Sequence, residues 1–426
     1  MILWVVFGGF LLVLATGAPI GIALGASAAV ALYAIMDIPL IVVAQRMFTS
    51  VDSFSFIAVP FFMLAGAFMS HGGVTRRLLS FAHSLVGALA GGLALVVGVA
   101  GMFFAAISGS SAATTAAIGT AMIDEMEKRG YHKDFAAAVV AAGGTVGIVI
   151  PPSITMVVYG AIASVSIGDM FLGGFLPGAL MGLSMCLVSY FIAKKRGYEG
   201  VGSLAFSNIV RSFRECFWAL LMPVIIIGGI YGGIFTPTEA AAVAAVYGLF
   251  IGLFVYRELR ISDLPKVLLD AAVSTTMIMF VVGGANLFGW ILTNAQVPHR
   301  LGLYFTTLTS NPLVFLMLVN VLLLFVGTLI NASAAVVILT PILLPVALSM
   351  GIDPLFFGVM TVVNLAIGCI TPPVGLDLFV VSAITKIPIE KVTREVMPYL
   401  GVLLLDLLLI TYFQDIILVI PRTFGG

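Results

Sequence analysis

The sequence predicts an all-α polytopic membrane protein of two inverted-topology repeats, each with a re-entrant helical hairpin and a Pro-Pro broken helix. Three observations predict it. Apolar residues make up 61% of the chain and charged residues 9%, with a mean hydropathy of +1.21; a soluble domain carries roughly 25% charged residues. Ile150-Pro151-Pro152-Ser153 recurs as Ile370-Thr371-Pro372-Pro373, and Gly130/Gly351, Phe135/Phe356, Gly147/Gly368 and Pro177/Pro398 share the offset of 221 positions (372 − 151). Basic residues also sort to one side of a membrane if one polar-tipped apolar stretch in each half turns back on itself.

In chain order, segments long enough to cross most of about 30 Å of hydrocarbon are expected at about 2–16, 19–35, 54–70, 135–165, 171–193, 217–234, 238–256, 268–293, 356–385 and 398–420. The first has no basic start of a signal peptide and reads as a retained helix. Stretches 93–124 and 313–348 carry a polar or Gly-rich break in the middle and are expected to be hairpins. Mixed-polarity stretches 75–90 and 296–311 precede them as interfacial arms. The polar segment 194–216 links a first repeat, 1–193, to a second, 217–426.

With both stretches as hairpins, 16 of the 19 basic residues fall on one side, leaving only Arg46, Arg300 and Arg422 opposite. The positive-inside rule makes the rich side cytoplasmic. Both termini are then expected outside, and the two hairpins enter from opposite faces. Inverted repeats with broken helices point to a secondary transporter with its site near the midplane. A net charge of zero argues against a nucleic-acid partner. Cys186, Cys216 and Cys369 have no metal-ligand spacing, and His71, His83, His132 and His299 are dispersed.

A membrane helix is not broken without compensation, since each unpaired backbone group in hydrocarbon costs several kcal/mol, roughly. The first hairpin tip reads Ser108-Gly109-Ser110-Ser111-Ala112-Ala113-Thr114-Thr115, and the second Gly327-Thr328-Leu329-Ile330-Asn331-Ala332-Ser333. Facing them should be Gly143 to Thr155, and Asn364 with Gly368 to Gly375. Proline lacks a donor, so carbonyls upstream of each pair lose helical partners. Hydroxyls and freed carbonyls suit a small cation such as Na⁺, and half-helix N-termini suit a carboxylate. Taken singly, Ser, Thr and Gly in membrane helices usually serve close packing; the paired occurrence favours a site. Substrate contacts are expected from Ser110, Ser153, Thr155, Asn331 and Ser333, with Asp377 within possible reach. Glu239 reads as a helix cap, and Asp406 as turned toward protein.

Asp52-Ser53-Phe54, Ile57-Ala58-Val59-Pro60-Phe61-Phe62, the Ser-Gly-Ser-Ser tip, Ile150-Pro151-Pro152-Ser153, Leu221 to Gly229, Phe235-Thr236-Pro237-Thr238-Glu239-Ala240, Ile338-Leu339-Thr340-Pro341 and Ile370 to Gly375 occur in order along the chain. Together they resemble the large membrane subunit of the tripartite ATP-independent periplasmic (TRAP) transporters. The resemblance covers essentially the whole chain. It implies an elevator-type ion-transporter-superfamily architecture, in which a domain built on the hairpins slides against a scaffold. It implies inward transport of an organic acid, such as a C4-dicarboxylate or sialic acid, with Na⁺ across the bacterial inner membrane. A separate four-helix small membrane subunit and a soluble periplasmic substrate-binding protein are implied as partners. Carried over position by position, one Na⁺ should lie near Ser108, Ser110, Ser111, Gly147, Ile148 and Pro151. Another should lie near Gly327, Thr328, Asn331, Gly368, Thr371 and Val374. The family commonly has an acid where this chain has Asn331, and the amide lowers the negative charge there. The rival readings are a stand-alone divalent-anion/Na⁺ carrier, a channel, and an intramembrane hydrolase using Ser108–Ser111. No His or Lys is placed as a base for the last.

Overall fold

The computed structural model describes residues 2–36, 38–202, 205–297 and 311–424, and among them every regular element is helical. The expected arm at 296–311, with His299 and Arg300, falls almost entirely outside the described residues. The chain starts with α1 (Ile2–Ala15), α2 (Ile20–Ala34), α3 (Ile41–Val51), α4 (Ala58–His71) and α5 (Val74–Val86). A first hairpin follows, α6 (Gly92–Ser108) and α7 (Ser111–Lys128), then α8 (Lys133–Thr145), a Pro-Pro break, α9 (Ile154–Ala163) and α10 (Ile167–Arg196). Next come α11 (Phe206–Tyr231), α12 (Pro237–Phe250) and α13 (Leu264–Asn294). The order hairpin, helix, break, half-helix, long helix then recurs as α14 (Pro312–Leu329), α15 (Ala332–Ser349), α16 (Pro354–Gly368), α17 (Leu376–Thr385) and α18 (Ile389–Tyr412), before a terminal α19 (Asp415–Phe424).

Polar residues punctuate the apolar helices where the chain must turn. Ser110, Ser153, Ser166, Thr236, Asn331 and Asp353 each accept a backbone N–H at the start of α7, α9, α10, α12, α15 and α16, satisfying donors that helix starts leave free. Thr236 and Glu239 form a complete capping box, the role read for Glu239. Both Pro-Pro bonds, Pro151-Pro152 and Pro372-Pro373, are cis.

The two halves pack into one helical assembly, with α13 on α15 and α5 on α6 joining its parts. The hairpin α6–α7 packs on α8 and its break, and α14–α15 on α16. The halves cross over: α15 packs on α9, and α17 on α7 and α8. Around this body α1 packs on α2, α2 and α3 on α13, and α4 on α12 and α13. Leu11, Leu183, Val224, Val246, Phe254 and Phe325 stand exposed, as a lipid-facing surface requires. Among the described residues eight segments are long and apolar enough to cross a bilayer, α14 and α15 among them.

The helix bounds depart from the sequence reading in places. Residues 194–216 are helical at both ends, since α10 runs to Arg196 and α11 starts at Phe206. Helix α3 lies outside the expected crossings, and the expected 398–420 crossing takes in the end of α18 and the start of α19. The arm at 75–90 contains α5, tied down where Glu258 receives Arg76 at 2.8 Å and Arg77 at 2.7 Å and Arg77 lies 3.8 Å from the Tyr256 ring centroid. At the far end of the first hairpin, Tyr131 stacks on Tyr198 with centroids 4.2 Å apart, and burial pushes its phenol up to about 12.

Candidate functional site

Each hairpin tip is bonded to the break in its own half. Gly109 ends α6 with φ +62°, and its carbonyl accepts from Ile154 N–H at 3.4 Å. Gly375 N–H donates to the Thr328 carbonyl at 3.0 Å. At the breaks, the Ile148 carbonyl accepts the Ser153 hydroxyl at 2.6 Å, and the Cys369 carbonyl accepts Asp377 N–H at 2.9 Å. Ser153, fully buried, thus spends its hydroxyl on the break and on capping α9.

In the first half the Ser108 hydroxyl lies 2.7 Å from that of Thr114 and 3.3 Å from the Ser110 carbonyl, which Thr114 also reaches at 2.8 Å. Gly147 closes this cluster: a Cβ there would lie 2.6 Å from Thr114 Oγ1 and 2.7 Å from the Ser110 carbonyl oxygen. Ser108, Ser110 and Gly147 are therefore together, and Thr114, absent from the sequence-derived cation residues, joins them. Ser111 turns elsewhere, its hydroxyl 3.7 Å from Cys369 Sγ. In the second half Gly327 and Gly368 meet backbone to backbone; a Cβ on Gly368 would lie 2.7 Å from the Gly327 Cα. The Thr328 hydroxyl bonds back to Phe325 within α14, and the Thr371 hydroxyl, just past α16, to Ile367 of that helix. Asn364 is fully buried and donates to Asn320 at 2.8 Å, away from the tip it was expected to face.

Between the tips lies a cavity of about 210 Å³. Ser110 and Ser111 at the start of α7, Ile154 and Thr155 of α9, Ala332 and Ser333 of α15, and Leu376 of α17 all line it, with Asn331 and Ile148. Four helix N-termini, two per half, thus converge on one space. Each brings the partial positive charge of unsatisfied N–H groups. Thr155 and Ser333 hydroxyls meet at 3.0 Å across the two halves. No Lys, Arg or His lines the cavity, so an anion here would be held by dipoles and hydroxyls. Pro151, Val374 and Asp377 do not line it. Asp377 is fully buried behind the wall.

Helix α13 and α4 close the cavity with Ser274, Met277, Ile278 and Met63, which sequence reasoning missed. The one available signal was Ser274-Thr275-Thr276, a hydroxyl run within a long apolar helix. Asp406, three-quarters along α18, accepts a hydrogen bond from Ser184 of α10, the inward-turned role read for it.

The profile of the tripartite ATP-independent periplasmic transporter DctM component matches residues 7–416. The chain belongs to that family. Among its relatives this TRAP family member is 48% identical over 423 residues to the isethionate TRAP transporter permease protein DctMQ of Oleidesulfovibrio alaskensis, covering 99% of this chain and 66% of that one. It is 46% identical over 90% of both chains to the C4-dicarboxylate TRAP transporter large permease protein DctM of Pseudomonas aeruginosa. It is 42% identical over 98% of both to the sialic acid TRAP transporter large permease protein SiaM of Vibrio cholerae. These relatives are named as permeases, not enzymes. The YdaH transporter of Alcanivorax borkumensis shares the fold, with a TM-score of 0.62 over 90% of this chain and 89% of that one at 16% identity. The TRAP family member is thus an all-α, multi-pass membrane transport protein.

Proposed function

We propose that this chain is the large permease of a three-part importer that carries a small organic acid into the cell with Na⁺. The observation that carries the reading is the convergence of four helix N-termini and paired hydroxyls on a cavity without a basic side chain. Such a site suits a carboxylate or sulfonate held by dipoles, and the names of the relatives, with isethionate, C4-dicarboxylate and sialic acid among them, favour that class. The Ser108–Thr114–Gly147 cluster and the Gly327–Gly368 contact are the two places where Na⁺ would couple.

In this reading the protein lies in the bacterial inner membrane with both termini periplasmic. A soluble periplasmic binding protein delivers substrate, and a separate small membrane subunit supports the scaffold. The hairpins, breaks, α9, α10, α17 and α18 move as one body, and α1–α4 with α11–α13 stay fixed. The two halves are inverted repeats, and the hairpins are re-entrant, on the strength of the 16-to-3 sorting of basic residues.

The test is reconstitution of the chain with the small-subunit and binding-protein products encoded beside it. Uptake of isethionate, C4-dicarboxylates and sialic acid is measured under an inward Na⁺ gradient. Transport that needs both the gradient and the binding protein supports the proposal. Equal transport by the chain alone would favour the stand-alone carrier.

A further inference from the structure

Asp377 is a fully buried acid at the core of the body that carries the cavity, set apart from Asp406, which Ser184 serves with a hydrogen bond. It sits in the first turn of α17 where that helix packs against α7 and α8, fully buried, and neither carboxylate oxygen has a hydrogen-bond partner. No basic side chain pairs with it among the described residues. The side chains that face it are Thr115 and Ser111 of α7, with the thiol of Cys369 beside them. Thr115 Oγ1 is also buried without a partner, seated against bare Gly144 of α8. Ser111 and Cys369 line the cavity as well, so the pocket opens through them to the substrate space.

We infer that Asp377, Thr115 and Ser111 form a further monovalent-cation site, distinct from the two clusters at the hairpin tips. A buried carboxylate without a counter-charge is strongly disfavoured. The hydroxyls of Thr115 and Ser111 face it and add two neutral oxygens to its two. The site supplies one full negative charge and neutral oxygens, which suits Na⁺ over a divalent ion. Its position behind the cavity wall lets the cation and the substrate anion stabilise each other. The inference rests on the Na⁺-coupled reading above.

The experiment is equilibrium binding of radioactive Na⁺ to the purified full-length chain in lipid nanodiscs. Wild type is compared with Asp377→Asn, Thr115→Val and, as a control at the first tip cluster, Ser108→Ala. Asp377→Asn should bind one Na⁺ fewer per chain at saturation. Thr115→Val, which keeps the carboxylate, should raise the half-saturating concentration of the lost site about five-fold or more and gives the readout if Asp377→Asn fails to fold. Full Na⁺ occupancy in Asp377→Asn with unchanged affinity in Thr115→Val overturns the site. So does an infrared protonated-carboxyl band in Na⁺-saturated wild type that Asp377→Asn removes. Wild type that binds no Na⁺ at all overturns the coupling reading itself, and this site with it.

Discussion

Gly147→Ala places a methyl group where the first hairpin tip meets its break. The new Cβ would lie 2.6 Å from Thr114 Oγ1, 2.7 Å from the Ser110 carbonyl oxygen and 3.0 Å from its carbon. Two of the three contacts are to backbone, so no rotamer change relieves them. Restoring ordinary contact at about 3.4 Å requires the tip and break to part by about 0.7 Å, more than the ~0.5 Å that a preorganised site tolerates. Overpacking of this kind costs about 1–3 kcal/mol, or about 5- to 150-fold in an equilibrium constant. The expected reading is a rise of that size in the half-saturating Na⁺ concentration for uptake, measured in proteoliposomes with the partner subunits. Gly401→Ala in α18, with nothing within 4 Å of its Cβ, is the matched control and should be neutral or slightly stabilising. Wild-type Na⁺ dependence in Gly147→Ala would refute the reasoning that the Ser108–Thr114–Gly147 cluster holds the coupling ion.

Thr155→Val and Ser333→Ala each remove one side of the 3.0 Å contact across the cavity; each should raise the KM for substrate about five-fold with little change in Na⁺ dependence, and a shift confined to Na⁺ would move these residues out of the substrate site. Thr236→Ala breaks the capping box of α12 and should cost about 1 kcal/mol, seen as a lower melting temperature with uptake retained; a loss of uptake without a stability change would give the Thr236–Glu239 pair a transport role. Cysteines at 289 and 341, where a Cβ on Gly289 lies 3.3 Å from that of Pro341, bridge α13 to the second hairpin within disulfide reach. In a background without Cys186, Cys216 and Cys369, oxidation should stop uptake and reduction restore it, and normal uptake through a fully formed crosslink would exclude sliding of the hairpin body past α13.

The breaks were legible because their signals are local. Two adjacent prolines in an apolar run, or Ser-Gly-Ser-Ser between two apolar arms, leave a helix no way to continue, whatever surrounds them. The hydroxyl pairings were legible only in part. Ser108 and Ser110 could be placed at the tip, but the part played by Thr114 depends on one turn of α7 bringing its hydroxyl back over Ser110. Ser111, one position away from Ser110, points to the other half instead, a choice that the packing of α17 on α7 makes. Met63, Ser274, Met277 and Ile278 had no signal of their own beyond one hydroxyl run, because a cavity wall supplied by a distant helix is fixed by tertiary packing. Helix α3 escaped the search for crossings for another reason. At 11 residues it is shorter than a span, and its charge and polarity break the apolar run.

The distribution of polar contacts bears on how such a protein moves. Hydrogen bonds tie tips to breaks at Gly109–Ile154 and Thr328–Gly375, one half to the other at Thr155–Ser333, and α10 to α18 at Ser184–Asp406, Ser189–Tyr399 and Arg196–Glu395. The surrounding helices are tied among themselves, at Thr238–Phe54, Tyr247–Trp218 and Ala219–Tyr256. Between α1–α4 or α11–α13 and the hairpin body, the described residues form no ion pair, and Tyr231 of α11 reaches toward the Leu172 backbone of α10. Small apolar contacts meet there, as where Gly289 lies against Pro341, beside a cavity that Arg46, Ser50, Asn286, Thr293 and Thr340 also line. In a low-dielectric interior, breaking a polar contact without replacement costs several times what sliding one apolar surface over another does, roughly 1–3 kcal/mol for each stranded group. Motion along that seam strands fewer. Motion that separated a tip from its break would strand several at once, which is the physical ground for the proposal that each cavity wall travels with its proposed cation cluster as one unit.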